Sequence, residues 1–124
     1  MPQIQVVFYQ EEDDTVPILE WLDTLPPKVQ DKCFVRIERL GLLGHELRRP
    51  EADYLRDKIY ELRIGFQGTN YRILYFLYED VAAVLAHGIM KERVVPPEDI
   101  NKAIERKIRF EKNPEARTYS EEEA

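Results

Sequence analysis

Arg63 and Arg72 lie in the segment YELRIGFQGTNYRILYF, residues 60–76. A guanidinium is a permanently charged, planar fork of N–H donors that matches the oxygens of a phosphate. The apolar residues of this segment alternate on both sides of Gln67-Gly68, the pattern of a β-hairpin. A two-residue turn there puts Phe66 opposite Thr69, Leu62 opposite Ile73, Tyr60 opposite Tyr75 and Arg63 opposite Arg72. A two-residue turn at Glu79-Asp80 then puts Tyr78 opposite Val81, Leu74 opposite Leu85 and Arg72 opposite His87. The expected result is one row, Arg63, Arg72 and His87, across three strands. Like charges directly opposite one another repel. A sheet gains from such a row only if an anion or acidic groups sit between the arginines. Two guanidiniums and an imidazole beside a groove suit a phosphate. Lys91 and Arg93 follow the third strand and add positive charge at the same end, and Tyr71 or Tyr78 offers a ring for base stacking.

Each of these residues also has an ordinary structural reading. Either arginine can pair with Glu61 or with an acid on a helix. His87 can be a packed or surface histidine, Lys91 and Arg93 solvated loop residues, and the tyrosines core and rim. The shared row is what favours function. Metal chemistry has no support, because the two histidines stand 42 positions apart and there is one cysteine, Cys33. No Gly-rich phosphate loop and no Ser/His/Asp motif is present.

The elements that must position the row follow from periodicity. Ile4 to Tyr9 is β-branched and aromatic and reads as a first strand. The acidic run Glu11 to Asp14 precedes a helix over Val16 to Leu25, with Thr15 as its expected cap and the acids favouring its start. Pro26-Pro27 ends it and opens a second helix from about Lys28 to Leu43, with Val29, Cys33, Ile37 and Leu40 on one face. His45 to Asp57 is polar and reads as a connection. Three strands follow in a meander, about Lys58–Phe66, Thr69–Tyr78 and Val81–Ile89. The face bearing Tyr60, Leu62, Ile64, Tyr71, Ile73 and Tyr75 should pack on helices. The arginine face, with Leu74, Phe76 and Leu85, should be partly covered. A last helix runs from Pro97 to about Lys112. The fold class is α+β, a curved antiparallel sheet packed with helices, in the order β-α-α-β-β-β-α. Residues 1–113 form a single domain, and 114–124 an acidic tail expected to be disordered.

At 124 residues and 44% hydrophobic, the chain can bury a core as one domain without disulfides. Nothing resembles a signal peptide, and no apolar run approaches the roughly 18 residues of a membrane span. A soluble, cytoplasmic protein is expected. Net charge is −6, but the acidic run and the tail from Glu115 together hold eight acids and one base, leaving 16 acids and 17 bases in the body. Nucleic-acid binding is therefore expected to be local or helped by a partner.

Taken together, Tyr60-Glu61-Leu62-Arg63, Tyr71-Arg72 with its aromatic run, His87-Gly88, Lys91, Pro97 and the final helix with Ala103 resemble the RelE/HigB-like toxins of type II toxin–antitoxin systems, in their phage-derived branch. The similarity is clearest from Tyr60 to about Phe110. The resemblance implies a small RelE-like α/β toxin fold. It implies an endoribonuclease that cuts mRNA on the ribosome, using the RNA 2′-OH as nucleophile with no metal or other cofactor. It implies a cognate antitoxin, expected to be a small helix-turn-helix protein. Carried over by position, Arg63 and Arg72 hold the phosphate, His87 is the acid or base, and Lys91 is a further phosphate contact. Two departures stand out: Glu92 where a second lysine is usual, and a pI of about 5.0 where such toxins are basic. Both favour the alternatives, a non-enzymatic toxin of the same fold that inhibits a protein such as DNA gyrase, or a degenerate member that only binds protein.

Overall fold

The computed structural model describes residues 3–90 and 94–119. Its elements are β1 (Gln5–Phe8), α1 (Pro17–Asp23), α2 (Pro27–Leu43), β2 (Ala52–Arg56), β3 (Ile59–Phe66), β4 (Thr69–Tyr78), β5 (Ala82–Met90) and α3 (Pro97–Lys112), with a 3-10 turn over Gly44–Glu46. One five-stranded sheet runs in the order β1-β5-β4-β3-β2. The fold is α+β as expected, with two differences. The sheet is mixed, because β1 pairs with β5 in parallel. The stretch expected to be a connection also contains a strand, β2, on the sheet edge.

Both helix starts in the first half are proline starts without a side-chain cap. Thr15 does not cap α1; its hydroxyl donates to Asp13 instead. In each hairpin both leading turn residues have positive φ: Asp57 and Lys58, Gln67 and Gly68, Glu79 and Asp80. Such turns match the right-handed twist of the strands they join. At Gln67-Gly68 the register is the one read from the pattern, with Phe66 opposite Thr69 and Arg63 opposite Arg72.

The second hairpin differs. Val81 joins its turn, so Tyr78 stands opposite Ala82 rather than Val81. A one-residue slip alone would turn His87 to the far face. A β-bulge at Ala86 restores the face, because the extra residue falls between the pairs Tyr75–Leu85 and Leu74–His87. Arg72 is therefore opposite Ile89, not His87, and Leu85 belongs to the opposite face from Leu74.

The sheet separates two cores. On one side Ile18 and Leu22 of α1 and Val29, Cys33, Ile37 and Leu40 of α2 pack on Leu62, Ile64, Tyr71, Ile73, Tyr75, Ala83 and Leu85. Burial pushes the Cys33 thiol up to about 11, which keeps it in the unreactive protonated form. On the other side α3 lays Ile100, Ala103 and Phe110 on Ile59, Leu74, Phe76, Val84 and Ala86. The chain beyond α3 was expected to be disordered from residue 114. Residues 114–119 instead return to β1, where Gln10 N–H donates to Arg117 and Tyr119 N–H to Phe8. Residues 120–124 lie outside the described residues.

Gly88 has a packing reason. A Cβ there would overlap the indole of Trp21, which α1 presses against β5. Gly88→Ala is expected to cost about 1–3 kcal/mol through overpacking, read as a lower thermal midpoint. A midpoint equal to that of the parent protein would show that Trp21 moves aside freely.

Candidate active site on the sheet

Arg63 and Arg72 point from the face that α3 partly covers. Their mutual repulsion is relieved by a carboxylate. Glu61, two residues before Arg63 on the same strand face, is buried, with its side chain 2% exposed. Its Oε2 accepts from Arg63 Nε at 2.9 Å and its Oε1 from Arg72 at 3.0 Å. A second acid joins from β2: Asp53 Oδ2 accepts from Arg63 at 3.0 Å and from Arg49 Nε at 2.9 Å. Asp53 stands directly opposite Glu61, and Arg63 opposite Arg72. Each cross-strand pair is thus of like charge, and the contacts along and between strands neutralise both. Burial alone would raise the Asp53 carboxyl. The Tyr54 N–H and the two guanidiniums outweigh it and hold the group below its ordinary value.

The two arginines are not equivalent. The Arg63 side chain is 37% exposed and Arg72 only 12%. Arg72 Nε is buried and has no hydrogen-bond partner among the described residues. It is a donor poised for an acceptor, in a place where an unmet donor is costly.

His87 shares this sheet face but belongs to a second polar cluster, built with α3. Its Nε2 lies 2.7 Å from Asp99 Oδ1, and Nδ1 lies 3.3 Å from Arg106. The neutral ring satisfies both contacts at once, with Nε2–H donating to Asp99 and Nδ1 accepting from Arg106. Burial disfavours the imidazolium and lowers the pKa, Arg106 lowers it further, and the Asp99 contact opposes both. Arg106 also donates to the carbonyl of the bulge residue Ala86 at 2.8 Å and to Glu11 at 3.1 Å. Glu11, from the acidic run, therefore serves α3 rather than the start of α1. Because the folded pKa lies below the ordinary 6.5, the unfolded chain binds the proton first as pH falls. The His87 contribution to stability is full above about pH 6.5 and is lost as pH falls toward the depressed folded value. Replacing His87 with glutamine should flatten thermal stability against pH in that window; an unchanged slope would refute the assignment.

The remaining candidates divide. Tyr71 is 7% exposed and packs edge-on to Trp21 in the core on the other face, so its ring is not beside the arginines. Lys91 and Arg93 lie outside the described residues, as does Glu92. Glu61 pairs with Arg63 as the sequence allowed, but its wider part was underrated: it entered as a possible ion-pair partner and within the Tyr60-Glu61-Leu62-Arg63 motif, not as the carboxylate that both arginines share. Asp99 and Arg106 were missed, since nothing local to His87 signals a partner on α3. Among the described residues no group of three or more His, Cys, Asp or Glu is arranged to hold a metal ion. No helix among them is long and apolar enough to cross a membrane.

A family model described as phage derived protein Gp49-like (DUF891) matches residues 20–108. The match spans most of α1 and runs into α3, and it includes Glu61, Arg63, Arg72 and His87. No curated protein matches the chain.

Proposed function

Since this chain belongs to the phage-derived Gp49-like family, a toxin-like family of the RelE/ParE-like superfamily, we propose that it is the toxin of a toxin–antitoxin pair and cleaves mRNA on the translating ribosome. In this reaction the RNA 2′-OH attacks the adjacent phosphorus. The bond to the 5′ oxygen breaks, leaving a cyclic phosphate and a 5′-OH. The 2′ proton must be taken up and the leaving 5′ oxygen protonated. Arg72 and Arg63 hold the phosphate and the charge that builds on it. His87, neutral through burial, exchanges the proton once one of its ring contacts is released; the 3.3 Å contact to Arg106 is the longer of the two. Lys91 and Arg93 add phosphate contacts. The antitoxin, a small helix-turn-helix protein, covers the arginine face. The observation that supports this reading best is the Arg63–Arg72 pair, set on one sheet face and oriented by a buried carboxylate.

A second reading has its own observation. Glu61 and Asp53 already neutralise both arginines. That favours a non-enzymatic toxin acting on a protein such as DNA gyrase, or a member that only binds protein. Controlled expression in a bacterial host, with growth and mRNA 5′ ends followed together, separates the readings. Growth arrest with new ends inside reading frames supports the nuclease. Arrest without new ends supports a protein target.

A further inference from the structure

A cleft of about 550 Å³ opens at the β2 edge of the sheet, outside the Arg63, Arg72 and His87 group. His45, Arg48 and Arg49, from the segment after α2, line it against Tyr54 and Tyr60. Asp53 is the acid among the lining residues. The volume is that of a small-ligand site. Tyr54 is 49% exposed, and its ring meets Tyr60 edge-on at 5.1 Å. Tyr60 in turn stacks on Tyr75 at 5.4 Å, so these rings lie on the α1 and α2 side of the sheet, across its β2 edge from Arg63 and Arg72. The platform is therefore backed by the core while its outer ring is open. The cleft is also joined to the arginine row through one atom, since Asp53 Oδ2 accepts from both Arg49 and Arg63.

An open aromatic ring beside guanidiniums is the chemistry of single-stranded nucleic acid. We propose that this cleft binds the nucleotide neighbouring the one held by Arg63 and Arg72, with its base stacked on Tyr54 and its phosphate held by Arg48 and Arg49. The inference rests on the RNA-cleaving reading and deepens it: one strand of RNA runs from Arg72 across Arg63 and turns around the β2 edge of the sheet to Arg49 and Tyr54. Asp53 keeps the two cationic points in fixed relation. An acidic protein segment is the competing occupant.

The test measures binding of a labelled single-stranded RNA hexanucleotide to the isolated full chain by fluorescence anisotropy, beside cleavage on programmed ribosomes. Tyr54→Ala is expected to weaken binding about tenfold or more, the usual effect of losing one base stack, while Tyr54→Phe binds like the parent. Arg48→Ala with Arg49→Ala is expected to lower the salt dependence of log Kd by about 1.4, from two phosphate contacts at about 0.7 each. These residues are exposed, so the variants should fold, and a thermal melt checks that. Loss of RNA binding in these variants upholds the cleft even if the parent cuts no mRNA, in which case the nuclease reading alone falls. Cleavage by the parent with unchanged binding and cleavage in the variants overturns the cleft and leaves the nuclease reading standing. Absence of RNA binding by the parent, or displacement of RNA by an acidic hexapeptide, overturns it too.

Discussion

Arg72→Ala is expected to abolish growth arrest while leaving a folded protein. The guanidinium of Arg72 sits against Glu61, its side chain 12% exposed and its Nε unpartnered among the described residues. Removing a donor placed at developing charge typically costs about 10²–10³ in rate. The stability cost is smaller, because Glu61 keeps Arg63 as a partner. Losing one of its two charged hydrogen bonds should cost about 1–3 kcal/mol. Arg72→Lys separates the effects. It keeps a cation beside Glu61 and should recover stability, but it lacks the planar fork and should stay impaired in cleavage. A folded Arg72→Ala protein that arrests growth as the parent does would remove Arg72 from the active site.

Glu61→Ala is expected to have the largest effect on stability. Glu61 is the only buried charged side chain among the described residues, and two guanidiniums share it. Its loss leaves Arg63 facing Arg72 across the strands without the carboxylate that neutralises them. Breaking a buried ion pair by removing one partner costs about 3–5 kcal/mol. That is a large fraction of the roughly 5–15 kcal/mol that holds a domain together. The thermal midpoint should fall by more than about 10 °C. Glu61→Gln keeps one acceptor oxygen and should fall less. Pairing Glu61→Ala with Arg72→Met should recover much of the loss, because the unpaired buried charge is gone. A Glu61→Ala midpoint within a degree or two of the parent would show that solvent, not Glu61, balances the arginines.

The first hairpin was legible in the sequence because alternating apolar residues and the Gln67-Gly68 turn fix its register together. The second was not. Val81 lengthens its turn and Ala86 bulges from β5, and each is a single-residue change that alternation cannot reveal. The two changes offset one another in face, so His87 still shares the side of Arg72, two residues along the strand from its expected partner. The edge strand β2 was hidden in a polar stretch, since a short edge strand with Asp53 and Arg56 has little apolar alternation to show. The helical stripes of α2 and α3 were plain, because both bury one face at three- and four-residue spacing. The partners of His87 were beyond reach for a different reason. Asp99 and Arg106 arrive on a separate helix, and Glu11 is 95 residues from the Arg106 it binds.

The most direct test of the central claim is cleavage of a defined mRNA by the purified protein, with and without ribosomes stalled on it, and with no divalent ion added beyond that needed to keep the ribosomes intact. Cuts that appear only on ribosome-bound message, end in a cyclic phosphate and a 5′-OH, and vanish with Arg72→Ala are the predicted result. Intact message at protein concentrations that arrest growth would contradict the nuclease account and leave a toxin that acts on a protein.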